Sequence, residues 1–285
     1  MNDLFENSYM HCLQVIGNGF DLAHNMNTSW NGFHKWLVSS GHQTLTHFLE
    51  SNVGLKTDLW KDFEKALGEY NIKDIYEQCT EDFEIDYDHM MRSASAIEDS
   101  PEIELMPRKE ELIKCFSQWV ESIWISEEPL QIEIPQDARY LTFNYTETLE
   151  KLYGISSANV LHIHGGIYDP IFGHGKYYNS YGYDADPLYQ IAAKEKIISV
   201  MNELHKDVYG IIAKHKEYFE SLNDINQIIV RGHSYGEIDF PYFARLKEVV
   251  SSDCIWKLGC HTYKDKYAAT SMSKKLSIKS EMFKF

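Results

Sequence analysis

Basic residues are scarce in this sequence of 285 residues: 27 Lys and Arg stand against 43 Asp and Glu, a formal net charge of −16 at pH 7. A surface that negative repels phosphate backbones and weighs against nucleic acid as a general partner. Cysteine is also sparse. Cys12, Cys79, Cys115, Cys254 and Cys260 are odd in number, scattered and without a C-x-x-C pair. That spacing excludes a disulfide framework and a zinc ribbon and fits reduced thiols in a cytosol. No apolar run approaches the ~18 residues of a membrane span. Met1–Met10 carries Asp3 and Glu6 and lacks the basic-then-apolar block of a secretory signal. The expectation is a soluble, cytoplasmic protein that does not engage a membrane. Against these absences stand 44% hydrophobic and 14% aromatic residues, enough to build a large core and to rule out disorder as a description of the whole.

Five short apolar runs read as buried strands: His11–Ile16, Arg139–Phe143, Asn159–Ile163, Gln227–Val230 and Cys254–Leu258. Each is followed by polar or glycine-bearing sequence, and helical patterns lie between several of them, one at Glu237–Val250. Buried strands alternating with helices predict an α/β fold, a Rossmann-like parallel sheet with helices on both faces. A large helical insertion follows the first strand, about residues 29–134, leaving a discontinuous core of residues 1–28 and 135–263. Within the insertion, Leu59, Phe63, Ala66 and Leu67 share one helical face, as do Leu112, Cys115, Phe116, Trp119, Val120 and Ile123. Ser93–Pro107, with its Ser, Pro and acidic residues, reads as a loop. A second helical stretch is predicted over Ala185–Phe219. Residues 264–285, where Lys264, Lys266, Lys274, Lys275, Lys279 and Lys284 face only Asp265 and Glu281, read as a solvated basic tail.

In an open α/β sheet, ligands bind beyond the carboxyl ends of the strands. The first strand runs into Gly17-Asn18-Gly19-Phe20-Asp21, a turn that can approach a phosphate or simply join strand to helix. The carboxylate of Asp21 opposes an anion and suits sugar hydroxyls or a helix cap. Asn144 ends the second strand with an amide that both donates and accepts, the equipment of a ligand contact or of a turn. His162 and His164 alternate onto one face at the end of the next strand, and a histidine there suits general-base work near neutral pH. No further ligand stands nearby in sequence, so no metal is expected. The flanking glycines of His174 suggest a lid or an exposed loop. Gly232-His-Ser234-Tyr-Gly236 has the spacing of a nucleophile elbow and leaves a Ser234-dependent hydrolase as an alternative, although only His261 follows it.

Taken together, Ile16–His24, Trp60–Leu67, Phe143–Glu150, His162–Gly165 and Gly232–Asp239 resemble the AbiH family of bacterial abortive-infection proteins. That family is distantly similar to sirtuin-like domains, including some that destroy NAD in anti-phage defence. The resemblance implies an effector that binds NAD and cleaves its nicotinamide N-glycosidic bond, with no metal. It implies that Gly17, Asn18, Gly19 and Phe20 lie against the pyrophosphate and nicotinamide ribose, and that Gly232, Ser234 and Asp239 lie near the adenosine end. It further implies that Asn144 sits at the ribose and that His164 is the base, these two being the catalytic pair. Thr146 stands where the related pattern has an aspartate, and Asp21 or Glu147 are the candidate acids to replace it. An alternative is a nucleotide-binding module of a defence complex without turnover. Expected partners are the dinucleotide, a second copy or a defence-system protein, and a phage trigger.

Overall fold

The structure is a computed structural model and describes residues 11–52, 63–130, 132–180 and 185–285. In chain order the first elements are β1 (Cys12–Ile16), α1 (Gly19–Ala23), α2 (Trp30–Ser39), α3 (Gln43–Asn52), α4 (Phe63–Leu67), α5 (Ile72–Thr80) and α6 (Met90–Glu121). Next come β2 (Arg139–Thr142), α7 (Thr148–Tyr153), β3 (Val160–His162), α8 (Leu188–Asn202), α9 (Val208–Lys214) and α10 (Lys216–Glu220). The chain closes with β4 (Gln227–Arg231), α11 (Phe240–Val249), β5 (Ile255–Cys260), α12 (Tyr263–Leu276) and β6 (Ser280–Lys284). None of the described helices is long and apolar enough to cross a membrane.

The chain divides into two compact units, residues 1–29, 120–171 and 207–285 in one, and residues 30–119 and 172–206 in the other. The first holds a six-stranded sheet in the order β3-β2-β1-β4-β5-β6, with every neighbouring pair parallel. This is the doubly wound Rossmann order, and its direction reverses between β1 and β4. Pleat alternation assigns the two faces. Leu13 and Val15 of β1 join Leu141, Ile228, Val230, Tyr242, Phe243 and Trp256 in one buried cluster. Cys12 and Ile16 join Phe20, Tyr140, Leu149 and Ile229 in the other. Each fully buried aliphatic or aromatic side chain stabilises the fold by about 1.5–3 kcal/mol.

The second unit is helical and packs around aromatic rings. Trp30 stacks on Phe63 at 4.6 Å, Phe33 meets Trp119 at 5.2 Å and Phe116 meets Phe172 at 4.4 Å. The predicted stripe on α6 is buried at Leu112, Cys115, Phe116, Trp119 and Val120. The Asp58–Asp62 portion of the other predicted helix lies outside the described residues, while Phe63, Ala66 and Leu67 are buried on α4.

Three expectations are corrected. Ser93–Pro107 is not a loop but part of α6, which contains Pro101 and Pro107. Proline at 101 removes the N–H that would bond the Ile97 carbonyl, and Ser100 Oγ donates to that carbonyl at 3.0 Å instead. Burial of Ile97 and Leu105 holds the segment in place. Residues 264–285 are not a solvated tail. Thr262 and Asp265 form a capping box that starts α12, Ala269 and Met272 are buried, and β6 pairs with β5 from Trp256↔Ser280 to Cys260↔Lys284. Lysines diluted an apolar pattern that needs only one side of a helix and of an edge strand. Finally, residues 172–206 group with the helical unit and residues 120–134 with the sheet unit, whereas the sequence reading drew that boundary at residue 134.

Candidate functional site at the carboxyl ends of the strands

The turns after β1 and β4 are adjacent because their strands pair across the reversal point of the sheet. They interlock through backbone. Gly17 N–H donates to the Arg231 carbonyl at 2.9 Å, Gly19 N–H to the Gly232 carbonyl at 2.7 Å, and Phe20 N–H to the Gly17 carbonyl at 2.9 Å. A Cβ on Gly17 would lie 2.7 Å from the Gly232 oxygen, and one on Gly232, where φ is +68°, would lie 2.2 Å from Phe20 N. These glycines are therefore required by the contact of one turn with the other. The N–H groups of Gly17, Gly19 and Phe20 are all spent within the protein. Asn18 is exposed and its amide donates to the Thr28 carbonyl at 2.9 Å. Phe20 is wholly buried, packed on His24, Tyr153 and Phe285; its ring is a core ring.

The ends of β1 and β2 carry a buried polar cluster. Asp21, at 1% exposure, accepts a hydrogen bond from Thr146 Oγ1, and Thr148 Oγ1 donates in turn to Thr146 Oγ1 at 3.1 Å. Burial pushes the Asp21 carboxyl above its ordinary value, opposed by the side chains of Thr146, Thr148 and Asn144 and by His24. Asn144 is buried with them. Its N–H donates to Thr142 Oγ1 at 3.1 Å, and its Oδ1 is buried without a hydrogen-bond partner among the described residues. Glu147 stands apart, exposed and paired with Lys151 at 2.9 Å. The acid next to Thr146 is Asp21.

Register brings the next pair together. Thr142 is opposite His162, so Asn144 and His164 each lie two residues past a matched position on neighbouring strands. His164, 4% exposed, stands edge-on to Phe143 at 5.1 Å and packs on Tyr242 at 5.7 Å. Its Nε2 lies 3.7 Å from Asp239 Oδ1, while His233 Nε2 lies 3.3 Å from Asp239 Oδ2. Tyr235 N–H donates to His233 Nδ1 at 2.8 Å. That nitrogen is thus an acceptor, which fixes the proton of a neutral His233 on Nε2, facing the carboxylate. Tyr235 itself sits at φ +56°, a left-handed conformation uncommon for an aromatic residue.

His162 and His164 do not share a face, contrary to the alternation argument. β3 ends at His162, and the chain turns through Gly165, at φ +70°, whose N–H donates to the His162 carbonyl. His162 instead points its Nδ1 to the Asn144 carbonyl at 3.1 Å and its Nε2 to Glu150 Oε1 at 2.9 Å. Burial lowers its pKa, but the Glu150 carboxylate and the Asn144 carbonyl outweigh that and leave it raised. His174 is neither lid nor exposed: it is fully buried in the helical unit, with Nε2 against the Met201 carbonyl at 2.9 Å.

The family whose description reads Bacteriophage abortive infection AbiH matches residues 13–259. The chain belongs to the AbiH family. Membership implies a role in phage abortive infection. No curated protein and no solved structure matches the chain.

In this AbiH protein the strand ends gather Asp21, Asn144, Thr146, His164, Gly232 and Asp239 in the sheet unit. Ser234 is exposed. A nucleophilic serine needs an imidazole, yet both ring nitrogens of the adjacent His233 are committed, to Tyr235 and to Asp239. Sequence reasoning missed His233, Tyr242 and Glu150. His233 stood inside the glycine-bearing motif, and its position one residue before Ser234 was the available signal. Tyr242 and Glu150 lie on helices where they are indistinguishable from core and surface residues.

Proposed function

We propose that this AbiH protein is a cytoplasmic abortive-infection effector that binds NAD across the carboxyl ends of β1, β2 and β3 and cleaves its nicotinamide N-glycosidic bond. The observation that carries this reading is the buried Asn144 Oδ1, an acceptor without a donor among the described residues, on a side chain that bonds the buried Asp21 carboxyl and lies one strand over from His164. A buried polar atom of that kind costs free energy unless a ligand supplies its partner. A ribose hydroxyl is a donor of the right chemistry.

The bound nicotinamide is a cationic leaving group and departs without protonation. The protein must hold the ribose, favour positive charge at the anomeric carbon and admit water. Asn144 would accept from a ribose hydroxyl. Asp21, held by Thr146, supplies the negative charge that Thr146 itself cannot. His164 takes a hydroxyl proton, oriented by Asp239, whose other oxygen faces His233. Water adds to the sugar, and nicotinamide, ADP-ribose and one proton result. Ser234 would face the adenosine side. The turn glycines support the fold of this site; their spent N–H groups do not grip the pyrophosphate.

The threonine at 146, in place of the aspartate of the related pattern, favours one other reading, in which the rim holds a nucleotide as a signal and a defence partner or second copy reads it out. Nicotinamide release from NAD, followed with and without phage-infected lysate, separates the two. Turnover that is lost in Asn144→Ala and His164→Ala supports the effector. Saturable NAD binding with no release under any condition overturns cleavage and leaves the sensor.

A further inference from the structure

Three side chains of the helical unit converge without a role in the chemistry above. His42 lies in the turn between α2 and α3, while Glu111 and Cys115 lie one turn apart on α6. One donor atom from each, an imidazole nitrogen, a carboxylate oxygen and a thiol sulfur, falls within 4.8 Å of the others. We propose that His42, Glu111 and Cys115 form a site for a divalent transition metal, Zn2+ by preference, with a fourth position open to solvent.

The donor set selects the ion. Imidazole with thiolate disfavours Mg2+ and Ca2+, which take oxygen ligands. A carboxylate beside them favours Zn2+ over Cu(I), which prefers soft donors throughout. Bonds of about 2.0–2.3 Å in tetrahedral geometry set donor atoms about 3.3–3.8 Å apart, so the observed cluster needs side-chain adjustments of about 1 Å. His42 Nδ1 is already 2.8 Å from Glu111 Oε1. The indole of Trp36 stacks on the His42 ring at 5.8 Å and 17°, which restricts its orientation as outer-shell contacts do at metal sites.

Access is built in. The His42 and Glu111 side chains are 26% and 40% exposed and form the rim; Cys115 is fully buried and forms the floor. Burial, with Glu111 nearby, pushes the thiol up to about 11, so it is protonated in the metal-free protein. Binding exchanges the S–H bond for a metal–sulfur bond and releases that proton to solvent; no electron is transferred. The ion then ties the α2–α3 turn to α6.

The test uses the tag-free full chain with Co2+ as a spectroscopic probe and Zn2+ as competitor. Tetrahedral Co2+ with one thiolate gives a near-ultraviolet sulfur-to-metal charge-transfer band and visible ligand-field bands, both expected here and both erased by excess Zn2+. Cys115→Ser should abolish the charge-transfer band, whereas Cys79→Ser, at another buried thiol, should keep it. Glu111→Gln, at a half-exposed position that tolerates substitution, should weaken binding at least about tenfold, the lower bound for disturbing a metal's surroundings. The melting temperature should rise with Zn2+ in the parent protein and not in Glu111→Gln. Absence of the charge-transfer band, or its persistence in Cys115→Ser, overturns the proposal, as does equal affinity in Glu111→Gln.

Discussion

The two halves of the sheet's carboxyl rim are built on opposite principles. Where the turns after β1 and β4 meet, backbone packs on backbone, and a side chain at Gly17, Gly19 or Gly232 would collide with the opposing main chain. Where β2 and β3 end, the side chains do the work: Asn144, Thr146 and His164 are buried, beside Asp21 and Asp239. A glycine motif after a strand therefore marks, in this protein, a structural clasp. The polar chemistry stands beside it.

That contrast can be broken by substitution. The largest effect is expected from Gly232→Ala. A Cβ 2.2 Å from Phe20 N at φ +68° forces the clasp apart, with a loss of about 3 kcal/mol or more of stability, read as a lower midpoint in urea. Asn144→Ala and His164→Ala should act the other way round. Their urea midpoints fall less than that of Gly232→Ala, while nicotinamide release falls by about 10²–10⁴, the usual contribution of a positioned base or its equivalent. If Gly232→Ala folds normally but stops turnover, the clasp is a ligand loop after all.

Asp21→Asn sharpens the comparison through pH. The folded-state pKa of Asp21 is raised above its ordinary 3.8, so the native state holds this proton more tightly than the unfolded chain. The contribution of this group to stability is thus complete below 3.8 and is lost as pH rises through the raised value. Asp21→Asn should flatten that part of the urea-midpoint profile and, at neutral pH, lose turnover without losing the fold. The smallest effect belongs to Glu150→Gln. His162 has a raised pKa that rests on Glu150 and the Asn144 carbonyl, so its stabilising contribution is complete below its ordinary 6.5 and disappears as pH rises through the raised value. The variant should lower the His162 pKa, seen as an earlier imidazole titration in NMR, with only a minor change in turnover.

The strands were legible because a parallel strand buried on both faces must be apolar along its whole length, and Leu13–Ile16, Tyr140–Thr142 and Ile228–Val230 are nearly so. Asn144 and His164 were legible for a related reason: polar residues directly after such runs must sit at a strand end. The α6 prolines misled because sequence shows the lost donor at Pro101 but not the Ser100 hydroxyl that replaces it. His162 misled because a strand's alternation holds only while the strand continues, and the turn at Gly165 ended it. His42, Glu111 and Cys115 left only a one-turn spacing in the sequence, with His42 69 positions before Glu111.

The sequence by itself determined the α/β class, the parallel sheet, the insertion after β1 and the family, because buried strands and ordered motifs are local patterns that survive without a partner. Tertiary structure alone decided which acid stands by Thr146, which imidazoles face Asp239 and what the glycines are for. Those are relations between strand ends far apart along the chain, and only the β3-β2-β1-β4 register brings them within hydrogen-bonding reach.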